Sequence, residues 1–329
     1  MPSYSAYTEN FMAGKLKPRA TGVLAGVRSQ PIINRPITTV VRAASRVVGF
    51  EPYWHMRLMR HLPRTGLIEA SLPGGRTLRM WSEGDDDIAS AVYYKGWSGY
   101  EPETSELFFD HARTANVILD IGAHVGYFAL LAAHANHSSS VFAFEPHERV
   151  YERLVQNCRL NDAHNCTCAR VAIGSSNGEA ELVRIAAKAC RSPKDLIPTS
   201  SSLSREFMES IVDARKLESA PVNEMTIDEF VSRRRLPTVD LVKVDTEGTE
   251  DAVLRGMSET LARDRPTIFC EVLIGRVGSR VESVLQPLDY SYYLLTDRGA
   301  QARAHIRPEA PWRNYMLVPS AMDARREPP

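Results

Sequence analysis

The sequence predicts an α/β fold with a mostly parallel sheet, helices on both faces and an antiparallel C-terminal edge. The main observation is that short apolar strands alternate with helical segments, as in Val117–Leu119 followed by the helix Gly126–Ala135. This alternation is typical of parallel sheets, because crossover helices cover both faces. A second observation is the glycine-containing turn from Asp120 to Gly126, which follows the first of these strands. The antiparallel edge is predicted from Tyr292–Thr296 and Tyr315–Val318.

The remaining predicted elements continue the same alternation. The strands are Val141–Glu145, Cys166–Ile173, Glu179–Ile185, Leu241–Asp245 and Thr267–Val272. The helices are Glu148–Asn161, Ile227–Arg234, Thr249–Ala262 and Arg276–Leu285.

We divide the chain into three parts. Residues 1–50 contain four prolines and few periodic apolar positions, so we expect a flexible or loosely docked N-terminal arm. Residues 51–115 form an extension, with a hairpin around Pro73-Gly74-Gly75 and then a helix. Residues 116–320 form the main domain, and their proline- and serine-rich stretch near 186–220 predicts an insertion that acts as a lid.

The composition narrows the function classes. Forty Lys and Arg residues balance forty Asp and Glu residues, which argues against a nucleic-acid or membrane-surface binder. The sequence has no apolar run long enough for a transmembrane helix and no secretion signal, so we expect a cytoplasmic protein. Its oligomeric state stays open.

The five cysteines are scattered and odd in number, and they contain no Cys-x-x-Cys pair. They are Cys158, Cys166, Cys168, Cys190 and Cys270. Cys166 and Cys168 would face the same side of a strand, and we interpret them as core residues in preference to a redox or metal site. No metal is predicted.

The turn after the first strand favours a cofactor other than a dinucleotide. Its glycines, Gly122 and Gly126, are spaced Gly-x-x-x-Gly, whereas a dinucleotide-binding turn would read Gly-x-Gly-x-x-Gly. Asp120 stands two residues before the first glycine, and its carboxylate would repel a pyrophosphate. An ammonium group suits this position, as in the methionine part of S-adenosylmethionine (SAM).

Glu145 adds a second contact to this cofactor hypothesis. It ends the second strand, just before Pro146, where an acid can accept hydrogen bonds from both ribose hydroxyls. The alternative for this residue alone is a carboxylate that initiates a helix.

These segments resemble motifs of the FkbM-type methyltransferases over roughly residues 95–275. The matching segments are Tyr100–Thr104, Asp120–Phe128, Phe142–Pro146, Ala172–Gly174, Met225–Glu229 and Val242–Glu250. His124 departs from the pattern, because many relatives carry Asn there. The resemblance implies the class I methyltransferase fold, which is Rossmann-like, and SAM as the cofactor. It also implies that the protein methylates a hydroxyl group on a small molecule such as a sugar or secondary metabolite. The cofactor-binding residues predicted in this way are Asp120, Gly122, Ala123, His124, Gly126, Glu145, Pro146, Ala172 and Tyr100.

The candidate catalytic residues lie at the end of the predicted strand Leu241–Asp245 and in the turn that follows it. Lys243 and Asp245 lie two apart and therefore face the same side of that strand, and Glu247 lies in the next turn. We expect Asp245 or Glu247 to orient or deprotonate the acceptor hydroxyl, while Lys243 sets their charge state. The alternative is a structural Lys–Asp pair with a helix-capping acid. For Glu271 two roles stay open, lining the same cleft or bonding with a neighbouring loop.

Other functions remain as alternatives at this stage. They are an N-methyltransferase, a nucleic-acid methyltransferase and a non-catalytic relic that binds SAM. A nicotinamide-dependent dehydrogenase is disfavoured by the missing dinucleotide motif. The identity of the acceptor is not predicted.

Overall fold

The computed structural model describes residues 31–48, 64–186, 201–273 and 275–320. Much of the predicted arm and part of the predicted insertion lie outside these ranges. None of the helices within them combines the length and apolarity needed to cross a bilayer.

The described ranges contain ten α-helices and fourteen strands. The helices are α1 Pro31–Val48, α2 Asp87–Lys95, α3 Pro102–Ala112, α4 Tyr127–Ala135, α5 Glu148–Leu160, α6 Arg205–Ile211, α7 Ile227–Arg234, α8 Glu250–Arg255, α9 Ser258–Asp264 and α10 Gly275–Leu285. The strands are β1 Thr65–Ser71, β2 Thr77–Glu83, β3 Val117–Ile121, β4 Ser140–Phe144, β5 Cys166–Ala169, β6 Ala172–Ile173, β7 Gly178–Ile185, β8 Ser201–Ser202, β9 Leu217–Met225, β10 Leu241–Val244, β11 Thr267–Glu271, β12 Tyr290–Thr296, β13 Gly299–Arg303 and β14 Asn314–Pro319.

The central sheet has eight strands in the order β13-β12-β14-β11-β10-β3-β4-β5. Strands β11, β10, β3, β4 and β5 are parallel, and β14 pairs antiparallel with both β11 and β12. All residues of β3 and β10 are buried, as expected for strands with a helical layer on each side. The predicted α/β class, the mostly parallel sheet and the antiparallel C-terminal edge are therefore confirmed.

Alternate residues of the central strands fill two separate cores. Ile118 and Phe269 belong to the core on one face, whereas Leu119 and Val242 belong to the core on the other face. This division follows from the two-residue period of a strand, which sends successive side chains to opposite faces.

One predicted strand divides in two. The segment predicted as Cys166–Ile173 forms β5 in the central sheet and β6 in a second, four-stranded sheet of order β6-β9-β7-β8. Strand β7, predicted as Glu179–Ile185, pairs with β9 in this second sheet and does not join the central one. Within the described residues, the predicted insertion is not a long loop, because residues 201–220 contribute β8, α6 and the start of β9.

The N-terminal extension packs onto the main domain. The predicted hairpin is confirmed as the antiparallel pair β1 and β2. Helix α1, which the sequence analysis did not predict, is fixed to the start of β1 because Asn34 Oδ1 accepts a 3.0 Å hydrogen bond from Thr65 N–H. Pro36 lies inside α1 and donates no backbone hydrogen bond, because proline has no N–H.

Asn157 on α5 links the hairpin to the turn after β3. Its buried side-chain oxygen accepts from Trp81 N–H at 2.8 Å, and its side-chain nitrogen donates to Val125 O, also at 2.8 Å. One amide group therefore holds the extension and the turn in a fixed relation.

Replacing this amide should lower the stability of the folded chain. Asn157→Ala leaves a backbone N–H and a backbone carbonyl without their partner, so we expect the free energy of unfolding to fall by about 1–3 kcal/mol. Urea denaturation followed by circular dichroism measures the loss. The exposed Glu152→Ala on the same helix is the control, and an equal loss in both variants would contradict the link.

Candidate active site

The candidate site lies where the chain connections leave the sheet in opposite directions. From β3 the chain continues to β4 and β5 on one side, and it later returns to form β10 and β11 on the other. Ligands of open α/β sheets bind at such a switch point, beyond the carboxyl ends of the strands. The residues that follow β3 and β10 therefore face one crevice.

Gly122 allows the turn after β3 to touch the end of β10. Its φ is +81°, and a Cβ atom there would lie 1.8 Å from the backbone oxygen of Asp245. Gly126, with φ +89°, approaches Leu154 of α5 in the same way. Both glycines are required by a positive φ and by a close packing contact.

Glu145 fastens this turn to the end of β4. Its carboxylate accepts from His124 N–H at 3.0 Å and from His147 N–H at 2.8 Å. Burial raises the pKa of Glu145, while His124 and the two backbone N–H groups oppose that shift. Since each carboxylate oxygen can accept more than one hydrogen bond, Glu145 retains acceptor capacity for a ligand.

Lys243 is the buried cation of the site. Its side chain has no exposed surface, and its Nζ lies 3.2 Å from Asp245 Oδ2 and 4.9 Å from the centre of the Phe128 ring. Its strand neighbours in register are Asp120 on β3 and Phe269 on β11. Burial acts to lower the pKa of Lys243, but the carboxylates of Asp245, Glu101 and Glu271 outweigh burial and raise it.

Acidic side chains surround this lysine. Burial raises the pKa of both Asp120 and Glu101 to about 7, although Lys243 partly opposes each shift. Burial, reinforced by Asp245 and Glu247, also raises the pKa of Glu271 well above its usual value. Several carboxyl groups near a single cation cannot all ionise, so this cluster holds protons at neutral pH.

The turn after β10 is held by an acid that the sequence analysis did not select. Glu247 (φ +57°) and Gly248 (φ +94°) adopt left-handed conformations. Glu250 at the start of α8 supports them, because one of its oxygens accepts from Thr246 N–H at 3.1 Å and from Gly248 N–H at 2.9 Å. Glu250 thus positions the turn.

The described part of the insertion packs on this same turn. Ser202 Oγ donates a 2.8 Å hydrogen bond to Glu247 O. A Cβ atom on Gly248 would lie 2.9 Å from the ring of Phe207 in α6. The insertion therefore contacts the candidate site, while its movement as a lid stays a prediction.

Aromatic rings form another wall. The Tyr100 ring packs edge-on against Tyr127 at 5.6 Å between centroids and against Phe128 at 6.5 Å. The Tyr127 hydroxyl donates to Trp97 O at 2.6 Å. These contacts fix the segment before α3, and Glu101 in that segment interacts electrostatically with Lys243.

The residues around the crevice differ in exposure. Asp120 and Lys243 are enclosed, with 1% and 0% of their surfaces exposed. Asp245 keeps 20% of its side chain exposed. The partly exposed rim of the crevice consists of Tyr100, Glu101, Gly122, His124, Asp245, Glu247 and Glu271.

The structure thus brings most of the predicted site residues together. The turn from Asp120 to Gly126, with Ala123 buried inside it, lies beside Glu145 and Pro146 on one side and Asp245 on the other. Ala172 belongs to the second sheet, where it pairs with Glu224. Glu101 was missed because only Tyr100 was selected from its segment, although an acid before a helix-starting proline was visible there.

Comparison with known proteins agrees with this geometry. The family described as "Methyltransferase FkbM domain" matches residues 120–292. The hexuronic acid methyltransferase AglP of Haloferax volcanii is 24% identical over 161 residues, which cover 49% of this chain and 58% of AglP. The methyltransferase sdnD of Sordaria araneosa is 30% identical over 183 residues, covering 47% of this chain and 67% of sdnD.

Two solved structures share less sequence identity with this chain than AglP and sdnD do. A methyltransferase FkbM from Methylobacillus flagellatus has a TM-score of 0.39 and 15% identity, covering 70% of this chain and 54% of that chain. The O-methyltransferase TomG from Streptomyces achromogenes has a TM-score of 0.37 and 11% identity, covering 67% and 80%.

The contact between the two turns predicts a difference between two glycines. Gly74 in the β1–β2 turn has φ +80°, but a Cβ atom there would meet nothing within 4 Å. Both Gly74→Ala and Gly122→Ala carry the conformational cost of a left-handed residue, about 1–2 kcal/mol. Gly122→Ala also forces Asp245 O away, so we expect an additional loss of about 1–3 kcal/mol in unfolding free energy.

Chemical denaturation of the two variants measures this difference. Equal losses would contradict the close contact between the turn after β3 and the end of β10.

Proposed function

Because the chain belongs to the FkbM methyltransferase family, we propose that it transfers a methyl group from SAM to a hydroxyl group of a small molecule such as a sugar or secondary metabolite. The family match covers more than half of the chain, and the fold is that of the class I methyltransferases. The aligned segment spans 58% of AglP and 67% of sdnD. The activity and the acceptor are therefore proposals.

The observation that carries the proposal is the partly exposed Asp245 carboxyl beside the buried Lys243. Asp245 reaches the rim of the crevice, and Lys243 donates to its Oδ2 from below. Lys243 remains protonated because the surrounding carboxylates raise its pKa. The pair thus presents an oriented carboxylate to a ligand without exposing the cation.

The residues around the turn suit the proposed cofactor. Among the described residues, Asp120 Oδ2 is buried and has no hydrogen-bond partner, so it offers an acceptor to an ammonium group. Glu145 has acceptor capacity for ribose hydroxyls at the end of β4. Gly122 and Gly126 allow the positive φ values that hold the backbone of this turn against the end of β10 and against α5. When bound, SAM would supply an electrophilic methyl group on a sulfonium.

The chain's own contribution is to orient the acceptor and to receive its proton. Methyl transfer depends mainly on alignment, which a rigid crevice provides. We assign the acceptor hydroxyl to Asp245, because Lys243 fixes this carboxylate at the carboxyl end of β10. Glu247 lies in a left-handed turn beneath the insertion and is the second candidate for this role. Asp245 would receive the released proton, and its partly exposed carboxyl can pass that proton on to solvent.

One of the two relatives supports a sugar-like acceptor. AglP is named for its action on hexuronic acid, which carries several hydroxyl groups. Methylation of nucleic acid is less consistent with this chain, because its formal net charge is zero. Methylation of an amine and a relic that only binds SAM remain the competing outcomes of the following test.

Asp245→Asn should abolish methyl transfer and leave cofactor binding intact. We expect turnover to fall by about 100-fold or more, since general base catalysis typically contributes that much. The assay incubates the purified chain with methyl-labelled SAM and a small-molecule extract, and mass spectrometry identifies labelled products. Stabilisation by S-adenosylhomocysteine in a thermal-shift titration reports cofactor binding, with NAD as the ligand control.

Glu259→Gln is the matched protein control, because Glu259 is an exposed acid on α9. Wild-type turnover by Asp245→Asn would contradict the assignment of Asp245. A labelled amine product would contradict O-methylation. Cofactor binding without any labelled product would favour the relic.

A further inference from the structure

Three cysteine thiols converge on the opposite side of Asp120 from Lys243. Cys158 lies on α5, and Cys166 and Cys168 lie on β5. The Sγ atom of Cys158 is 3.7 Å from that of Cys166 and 3.6 Å from that of Cys168. All three sulfur atoms lie within 4.8 Å of one another.

The fold explains why these thiols meet. Cys166 and Cys168 are two apart on a strand, so they face the same side. Helix α5 packs on that side and directs Cys158 between them. Cys158 is buried, whereas Cys166 and Cys168 are partly exposed, so the cluster is open to solvent on one side.

The spacing fits a tetrahedral metal better than a disulfide. A zinc–thiolate bond is about 2.3 Å long, and two corners of a tetrahedron of that size are about 3.8 Å apart. The two measured sulfur–sulfur distances from Cys158, 3.6 and 3.7 Å, are close to this edge. A disulfide bond would require about 2.0 Å.

We propose that Cys158, Cys166 and Cys168 bind one zinc ion, with water as the fourth ligand on the open side. A zinc ion with three thiolates has a net charge of −1, whereas a monovalent copper ion with the same ligands would have a net charge of −2. Thiolates are soft ligands and disfavour magnesium or calcium. The sequence pattern predicts core packing for these cysteines and no metal, because nothing in it places Cys158 beside the other two.

The proposed ion would stabilise the edge of the central sheet. Strand β5 is the last strand of that sheet and has four residues, so it makes few ladder hydrogen bonds of its own. A metal bridge from β5 to α5 would fix the helix that carries Asn157 and thereby the hairpin and the turn after β3. Cys168 is in register with Ala143, and Ala143 with Asp120, so the site lies about 10 Å, or two strand spacings, from the crevice.

Cobalt substitution tests the site directly. The full chain is purified under reducing conditions, stripped with a chelator and titrated with Co²⁺, and zinc is then added in competition. We expect one Co²⁺ per chain, a thiolate-to-cobalt charge-transfer band, displacement by zinc and a higher melting temperature with zinc bound. Binding should release protons as the thiols ionise.

Single substitutions distinguish this site from adventitious binding. We expect zinc affinity to fall by at least about 100-fold in each of the variants Cys158→Ser, Cys166→Ser and Cys168→Ser. Removing a residue that only contacts a metal ligand already lowers metal affinity by up to about 100-fold, and these cysteines are the ligands themselves. Cys270→Ala, which removes a buried cysteine outside the cluster, and Thr167→Ser between the two strand ligands should bind zinc as the wild type does. Circular dichroism confirms that each variant is folded. Absence of the charge-transfer band, or equal zinc affinity in the cluster variants and the controls, would overturn the proposal.

Discussion

The site depends on a completely buried lysine, Lys243, whose neighbours are an aromatic ring and several carboxyl groups. An isolated ammonium group is too costly to bury, so Lys243 must be matched by carboxylates and hydrogen bonds. Asp245 supplies the direct contact from the same strand. Glu101, Glu271 and Asp120 approach from three other elements and interact with the lysine electrostatically. The acids that neutralise Lys243 lie at the ends of β3, β10 and β11 and at the start of α3, so these four elements meet around the lysine.

This arrangement gives the crevice its chemical character. The carboxyl groups outnumber the lysine, so burial and mutual repulsion hold some of them in the protonated form near pH 7. Asp120 and Lys243 are enclosed and contribute to the charge of the site, whereas the partly exposed Asp245 presents its carboxylate to a ligand. Glu145 and Glu250 have a different part, because each uses its carboxylate to hold backbone N–H groups of a turn. Acidic residues therefore set the charge of the crevice in some positions and hold the backbone of a turn in others.

Much of the fold and part of the site could be predicted from local sequence. The apolar strands, the glycine spacing and the acid at the end of β4 are local patterns, and the two-residue period placed Lys243 and Asp245 on one face. The local pattern shows Glu101 as an acid before a helix-starting proline, but its interaction with Lys243 depends on how α3 packs against α4. Strand β6 was merged with β5 because both are short and apolar, and only tertiary pairing with β9 separates them. The convergence of Cys158 with Cys166 and Cys168 likewise depends on the packing of α5.

The pH dependence of stability in a Lys243→Met variant tests the central claim most directly. Lys243 lowers the pKa of Asp120 and Glu101, so its removal should raise those values further above the ordinary range for carboxyl groups. The folded variant would then bind more protons than the unfolded chain as the pH rises through neutrality, and its stability should fall with pH. We predict that the loss of unfolding free energy relative to the wild type is smaller at about pH 5, where the acids are protonated, and larger at about pH 8. A loss of equal size at both pH values would show that Lys243 contributes only packing, and it would contradict this account.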